Sequence, residues 1–69
     1  MRIKLKKFTN HNSKILTIDA YQNIKRHITR ERKSPDTIVF DGEGLESVSV
    51  ALIKMIMKNY LSDFENLPV

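Results

Sequence analysis

The sequence predicts a small two-layer α/β (α+β) domain, with three short strands and two helices in the order β-β-α-β-α and a partly parallel sheet. Three observations predict this class. Apolar and basic residues alternate near the N-terminus, two stretches at 19–32 and 48–61 repeat apolar residues at helical spacing, and the run at 37–40 between them is rich in branched residues. A helix that connects two strands favours a right-handed β-α-β unit with parallel neighbours. The 69 residues are expected to form a single domain, 1–69.

The first two strands are predicted from residues 2–8 and 15–18. Residues 2–8 alternate apolar and basic side chains, which predicts a strand with one solvated face. Lysines on that face suit a sheet edge, because charge discourages the addition of a further strand. Residues 9–12 are typical of a turn, and the apolar residues within 15–18 predict a second strand that pairs with the first as a hairpin.

The first helix is predicted at about residues 19–32. Thr17 or Asp19 can cap it by accepting hydrogen bonds from the free amides of its first turn. The expected apolar face consists of Ala20, Tyr21, Ile24 and Ile28. Pro35 ends the helix, because the residue before a proline avoids helical angles, and residues 37–40 then form a buried strand.

The second helix is predicted at about residues 48–61, opened by Ser47 or Ser49, and it is apolar over most of its circumference. One apolar arc consists of Val48, Ala51, Leu52, Met55 and Ile56. The outer arc consists of Val50, Ile53, Met57, Tyr60 and Leu61. Because a two-layer domain buries one face of each helix, the outer arc needs a cover. That cover can come from another chain or from residues 62–69, which are expected to form a loose tail or a clasp.

Composition and charge limit the possible functions. Residues 1–34 carry ten Lys or Arg against two acidic residues, whereas residues 35–69 carry two lysines against six acidic residues. Such a polarised chain can attract partners of opposite charge or pair its own halves. The absence of cysteine and of a long apolar run indicates a cytoplasmic protein without a membrane segment. The residue usage is typical of a bacterial or phage accessory protein.

Catalytic and metal chemistry have little support in the sequence. His27 and Glu31 are one helical turn apart, but no nucleophile stands beside them, so a surface pair is the expected role. Asp41, Glu43 and Glu46 crowd one loop without the ligand spacing of a calcium loop. We therefore expect a protein that is not an enzyme and that uses no metal and no cofactor.

Basic residues around the first helix leave nucleic-acid binding open as an alternative function. The candidate contacts to phosphates are Lys25, Arg26, Arg30, Arg32 and Lys33, and the basic strand at 2–8 adds to them. Phe8 and Tyr21 are the aromatic residues of this half that could stack on bases.

The segment I-V-F-D-G-E-G-L-E-S-V-S at 38–49 resembles the STAS and STAS-like domain family, which includes anti-anti-sigma factors. In that family a hydrophobic strand ends in Asp, a Glu-Gly turn follows, and a serine-containing segment opens a helix that docks a regulatory partner. The resemblance covers the front half of the fold, and it implies a docking role for the segment around Ser49, with Ser47 just before it. The family's D-S-S-type signature is absent. Its additional strand and helix are also absent, and a truncated sheet favours self-association.

We therefore expect a regulatory or adaptor module that binds a protein partner, with a homodimer as the expected assembly. The predicted contact surface combines the loop at 41–49 with the outer arc of the second helix. Its residues are Asp41, Glu43, Glu46, Ser47, Ser49, Val50, Ile53, Met57 and Tyr60.

Overall fold

A computed structural model describes residues 1–10, 13–32 and 36–68, and these contain five strands and two α-helices. The strands are β1 (Arg2–Lys4), β2 (Ile15–Leu16), β3 (Ile38–Asp41), β4 (Ser47–Val48) and β5 (Ser62–Glu65). The helices are α1 (Tyr21–Glu31) and α2 (Val50–Asn59). Two short 3-10 helices, Leu5–Phe8 and Ile18–Ala20, lie before β2 and α1.

All strand pairings among the described residues are parallel, in two separate sheets. The larger sheet has the order β1-β3-β5, and β2 and β4 form the smaller one. In the larger sheet Ile3, Phe40 and Phe64 stand side by side across the three strands. The central place of β3 explains its branched and aromatic residues, because a central strand of a parallel sheet is the most buried. The predicted edge position of β1 and a sheet with parallel strands are thereby confirmed. The two strands that flank α1, β2 and β3, were predicted to be parallel neighbours, but they lie in separate sheets.

The hydrophobic core lies where both helices meet the larger sheet. The buried side chains of this core include Ile24 and Ile28 from α1, Leu52 and Ile56 from α2, and Ile3, Ile38 and Phe40 from the strands. The rings of Phe40 and Phe64 are stacked, with centroids 5.4 Å apart. The apolar face predicted for the first helix is confirmed, since all four of its members are buried.

The predicted strand at 2–8 is wrong in its second half, because Leu5–Phe8 is a 3-10 helix. A 3-10 helix has three residues per turn, so Leu5 and Phe8 lie on the same side of it. Leu5 is buried and Phe8 packs against the core, so both apolar side chains are covered without a strand. Thr9 closes the turn, since its backbone N–H and its hydroxyl both donate to the carbonyl of Lys6.

The predicted hairpin is also wrong, because β2 pairs with β4 and not with β1. The backbone N–H of Glu46 donates to the carbonyl of Lys14 at 2.7 Å, and that of Ser49 to the carbonyl of Leu16 at 2.9 Å. The 3-10 helix turns the chain away from β1, whose partner is β3.

The helix cap predicted at Thr17 or Asp19 is wrong, since neither side chain caps the start of the helix. The 3-10 helix Ile18–Ala20 leads directly into α1, and the N–H of Ala20 bonds to the carbonyl of Thr17. Backbone carbonyls therefore accept hydrogen bonds from N–H groups that would otherwise donate to a capping side chain. α1 ends at Glu31, and Pro35 lies outside the described residues.

The predicted element order lacks two strands, β4 and β5. β4 has two residues, too few for a periodic pattern. β5 reads Ser-Asp-Phe-Glu, with one large apolar side chain, so it has no hydrophobic alternation to detect. Within the predicted tail at 62–69, residues Ser62–Glu65 are thus the third strand of the larger sheet.

Candidate functional site

The loop between β3 and α2 is fixed by the buried carboxylate of Asp41, which is only 3% exposed. Its Oδ1 accepts hydrogen bonds from the backbone N–H of Glu43 at 2.9 Å and from Nδ2 of Asn66 at 3.0 Å. Its Oδ2 accepts one from the Arg2 guanidinium at 3.1 Å. These bonds, led by that from Asn66, hold the pKa of Asp41 below its ordinary value. Asp41, a predicted partner contact, is instead an internal anchor of the loop.

Arg2 extends this anchor across the larger sheet. Its guanidinium also lies 2.7 Å from Oε1 of Glu65, so one side chain on β1 reaches both β3 and β5. The hydrogen bond that Arg2 donates to Glu65 is the main cause that raises the pKa of Arg2, and the bond that it donates to Asp41 adds to it. The C-terminal end of the sheet is therefore held by a three-membered network of charged side chains.

The glycine turn after Asp41 depends on backbone geometry. Gly42 donates its N–H to the carbonyl of Glu65 at 2.8 Å, and Leu45 donates to Gly42 at 3.1 Å. Gly44 has a φ of +88°, a conformation that residues with a Cβ rarely adopt. The turn sends Leu45 into the core and directs the chain toward α2.

The remaining polar residues of the loop are on the surface. Glu43, Glu46 and Ser47 are exposed. Glu46 lies 3.9 Å from Lys14, and both side chains are more than half exposed, so this pair is weak. Among the described residues no group of three His, Cys, Asp or Glu could hold a metal ion. The loop thus presents two separate exposed carboxylates.

Ser49 begins α2 as an N-cap. Its Oγ accepts a hydrogen bond from the backbone N–H of Leu52 at 3.4 Å. Of the two serines predicted to open this helix, Ser49 is the cap, whereas Ser47 lies in β4. Ser49 is half-buried, and its hydroxyl is already engaged with the helix.

The outer arc of α2 forms an exposed apolar surface. Val50 is 64% exposed and Met57 61%, and Leu61, just beyond the helix, is 66% exposed. Ile53 and Tyr60 lie between them and are half-buried. The inner arc is narrower than predicted, because only Leu52 and Ile56 are fully buried. Of its other three members, Ala51 and Met55 are exposed and Val48 is half-buried.

Tyr60 connects the end of α2 with the end of α1. The Arg32 guanidinium lies 6.0 Å from the centroid of the Tyr60 ring, within the range of a cation–π contact. Burial raises the pKa of the Tyr60 hydroxyl. Arg32 also donates to the carbonyl of Asp36 at 2.9 Å, so this candidate nucleic-acid contact takes part in the fold.

The other candidate nucleic-acid contacts lie on α1. Lys25, Arg26 and Arg30 are exposed, and Lys33 lies outside the described residues. Arg26 and Arg30 line a cleft of about 450 Å³ between α1 and the 3-10 helix Leu5–Phe8. The other described residues that line this cleft are Lys7, Phe8, Thr9, Asn10, Asn23 and His27. Lys7 was predicted to add to these contacts from a strand, whereas in the structure it reaches the cleft from a 3-10 helix. The spacing of Leu5 and Phe8 is the signal in the sequence that indicates this turn.

His27 was predicted to pair with Glu31, but in the described part of the chain its recorded contact is with the ring of Phe8. Its ring lies edge-on to Phe8, with centroids 5.8 Å apart and planes at 76°. Glu31 is 3.9 Å from Arg30. His11, in the predicted polar turn, lies outside the described residues.

Comparison with known proteins adds no relative. No protein-family model, no curated protein and no solved structure matches this chain. Among the described residues, no helix has the length and apolar character needed to span a membrane.

Proposed function

We propose that this protein is a non-enzymatic regulatory or adaptor module that binds another protein through the outer arc of α2 and the adjoining acidic loop. The observation that carries the proposal is the exposure of three large apolar side chains: Val50 and Met57, two turns apart on α2, and Leu61, just beyond its end. Contiguous exposed apolar surface is characteristic of protein interaction sites. Desolvation of this surface supplies affinity, at about 25 cal/mol per Å² before the costs of association.

The strand order supports an outward-facing position for this arc. The chain passes from β1 to β3 and on to β5 in one direction across the sheet. Parallel crossovers are almost always right-handed, so two successive crossovers in the same direction place both helices on the same face. With both helices on one face, the side of α2 that carries the buried Leu52 and Ile56 faces inward, and the opposite side is free for a partner.

The acidic loop contributes orientation and association rate. Glu43 and Glu46 are exposed at the N-terminal end of α2, and Asp41 keeps the loop in place from inside. Exposed charges at the rim of an apolar patch speed the encounter of the two proteins and fix their relative orientation. They add less to the affinity. The resemblance of residues 38–49 to STAS domains, on which this part of the proposal rests, implies partner docking at the same segment around Ser49.

A second copy of the chain is the first partner that this surface fits. The loop at the start of α2 is acidic, and Lys54 and Lys58 are exposed farther along the helix. An antiparallel pairing of two α2 helices about a two-fold axis places each acidic loop near the lysines of the other copy. A chain of this length buries only about 60% of its unfolded surface, so dimerisation also adds stability.

Affinity capture from a lysate of the source cells tests the partner-binding role. Tagged wild-type protein and a Met57→Asp variant are compared, with each lysate split into nuclease-treated and untreated halves. The proposal is supported if a protein is captured in stoichiometric amount, if its capture persists after nuclease treatment, and if the Met57→Asp variant no longer captures it. A partner that both proteins retain equally would place the interaction elsewhere on the molecule.

The second candidate function is nucleic-acid binding, with Lys25, Arg26, Arg30, Arg32 and Lys33 as the predicted contacts. One observation favours it, the cleft where Lys7, Arg26 and Arg30 converge from two separate elements. Loss of binding with rising salt is the expected behaviour of such contacts.

A further inference from the structure

We propose that the cleft between α1 and the 3-10 helix Leu5–Phe8, with the cavity that adjoins it, binds a nucleoside phosphate. The ligand is either a free nucleotide or one unit of a nucleic-acid strand. This goes beyond the adaptor function, and it gives the second candidate function a defined site and ligand.

The basic half of this site is the cleft itself. Lys7 comes from the 3-10 helix, while Arg26 and Arg30 are one turn apart on α1. No Asp or Glu is among the described residues that line the cleft, so no carboxylate of that lining faces its cations. Like charges at this spacing repel, and a phosphate between them relieves the repulsion. Guanidinium groups also match phosphate oxygens in a two-pronged geometry.

Neighbouring side chains hold the basic half in shape. Asn23 Oδ1 accepts a hydrogen bond from Nη1 of Arg26 at 3.4 Å, which orients the guanidinium. The ring of His27, edge-on to Phe8, closes one wall. Arg30 has a competing contact to Glu31 at 3.9 Å, but both groups are exposed, so this pair is weak.

The second half is a cavity of about 450 Å³, and Asp19 is the one charged side chain among the described residues that line it. The described residues that line it supply three hydroxyls, two amides and that carboxylate, from Thr9, Ser13, Thr17, Asn10, Asn23 and Asp19. The hydroxyls of Thr9 and Ser13 already donate to the carbonyls of Lys6 and Ile15, so toward a ligand they act as acceptors. Hydroxyls and amides match the edges of a base, and a carboxylate accepts hydrogen bonds from ribose hydroxyls.

The two halves adjoin, because Phe8, Thr9, Asn10 and Asn23 line both. A basic pocket beside a hydrogen-bonding pocket matches a ligand with a phosphate at one end and a polar nucleoside at the other. Phe8, at the boundary, offers an apolar surface for a base. Lys25 lines a further concave surface together with Arg26 and Arg30, so positive charge continues along α1 as a longer strand requires.

Binding measurements on the whole chain test this site. Fluorescence anisotropy follows a labelled single-stranded RNA of about ten nucleotides, a length within the site sizes of single-strand binders. Amide chemical-shift titrations follow AMP, UMP and inorganic phosphate at millimolar concentration. The test variant is Lys7→Gln/Arg26→Gln. The control is Lys54→Gln/Lys58→Gln, which removes the same charge from exposed positions on α2.

We expect Lys7→Gln/Arg26→Gln to weaken RNA or nucleotide binding at least tenfold at about 50 mM salt, and to reduce the salt slope for RNA by about 1.4. The control and Met57→Asp should bind as the wild type does. Shifts at Thr9 and Ser13 with AMP or UMP identify a free nucleotide, and binding of RNA alone identifies a strand. Three results overturn the proposal: no binding by any of these probes, phosphate binding as tight as nucleotide binding, or an equal loss in the control.

Discussion

At the scale of single residues, Asp41 shows how a carboxylate at a strand end can serve the fold. Hydrogen bonds from Arg2, Glu43 and Asn66 converge on it from three separate segments of the chain. A motif of Asp followed by glycines suggested a contact surface, but the side chain that stabilises the loop is buried and unavailable to a partner. Only neighbouring residues with exposed side chains can take that role.

Replacement of Asp41 by Asn should lower the free energy of unfolding at pH 7 and weaken its dependence on acid. A carboxyl whose pKa is depressed in the folded state contributes stability above its unfolded pKa, here the ordinary value of 3.8. That contribution is lost as the pH falls through the lower folded pKa. The difference between wild type and variant, measured by urea unfolding at several pH values, should therefore be full at neutral pH and shrink below 3.8.

The matched control for this measurement is Asp63→Asn. Asp63 is exposed on β5, and its replacement changes the net charge by the same amount. We expect only a small effect on the free energy of unfolding at pH 7. An equal stability difference at neutral and acid pH for Asp41→Asn would show that the carboxylate charge does not stabilise the loop.

Gly44 sets the geometry of the same loop. Substitution by Ala should cost about 1–2 kcal/mol, because the residue has positive φ. The new Cβ would also lie 3.0 Å from Cδ of Lys6, a flexible side chain that must move aside. Urea unfolding measures the cost. Glu43→Ala, at an exposed position of the same turn, should stay within about 0.5 kcal/mol of the wild type.

At the scale of elements, the start of α2 is set by one hydroxyl. Ser49→Ala should reduce the free energy of unfolding by about 1 kcal/mol, because the backbone N–H of Leu52 loses its acceptor. Ser47→Ala, on exposed β4, should change it by no more than about 0.5 kcal/mol. Thermal or urea unfolding of both variants distinguishes the roles. If Ser49→Ala and Ser47→Ala reduced the free energy of unfolding equally, the hydrogen bond of the Ser49 cap would contribute no measurable stability.

The elements that were predictable are those with a repeated hydrophobic signal. Ile24 and Ile28 mark α1, Leu52 and Ile56 mark α2, and the buried residues of β3 fill the centre of the sheet. β5 has Phe64 as its one large apolar side chain, and its place depends on pairing with β3, a contact distant in sequence. Pairing of short strands is decided by tertiary contacts, which local periodicity does not contain.

At the scale of the whole molecule, two different surfaces lie on two different helices. The outer arc of α2 was predictable from helical periodicity, and Val50 and Met57 are exposed as that pattern indicates. The basic cleft was not predictable, because Lys7 and Arg26 are distant in sequence and meet only through the 3-10 turn. Separate surfaces allow variants of one site to leave the other intact.

The most direct test of the α2 surface is sedimentation equilibrium combined with circular dichroism on Met57→Asp. We predict that the wild type self-associates, and that the variant sediments as the 8.1 kDa monomer with an unchanged helical signal. Gln22→Asp, which adds the same charge at an exposed position of α1, should associate as the wild type does. A wild-type monomer at all concentrations, or a Met57→Asp variant that loses its helical signal, would contradict the proposed surface.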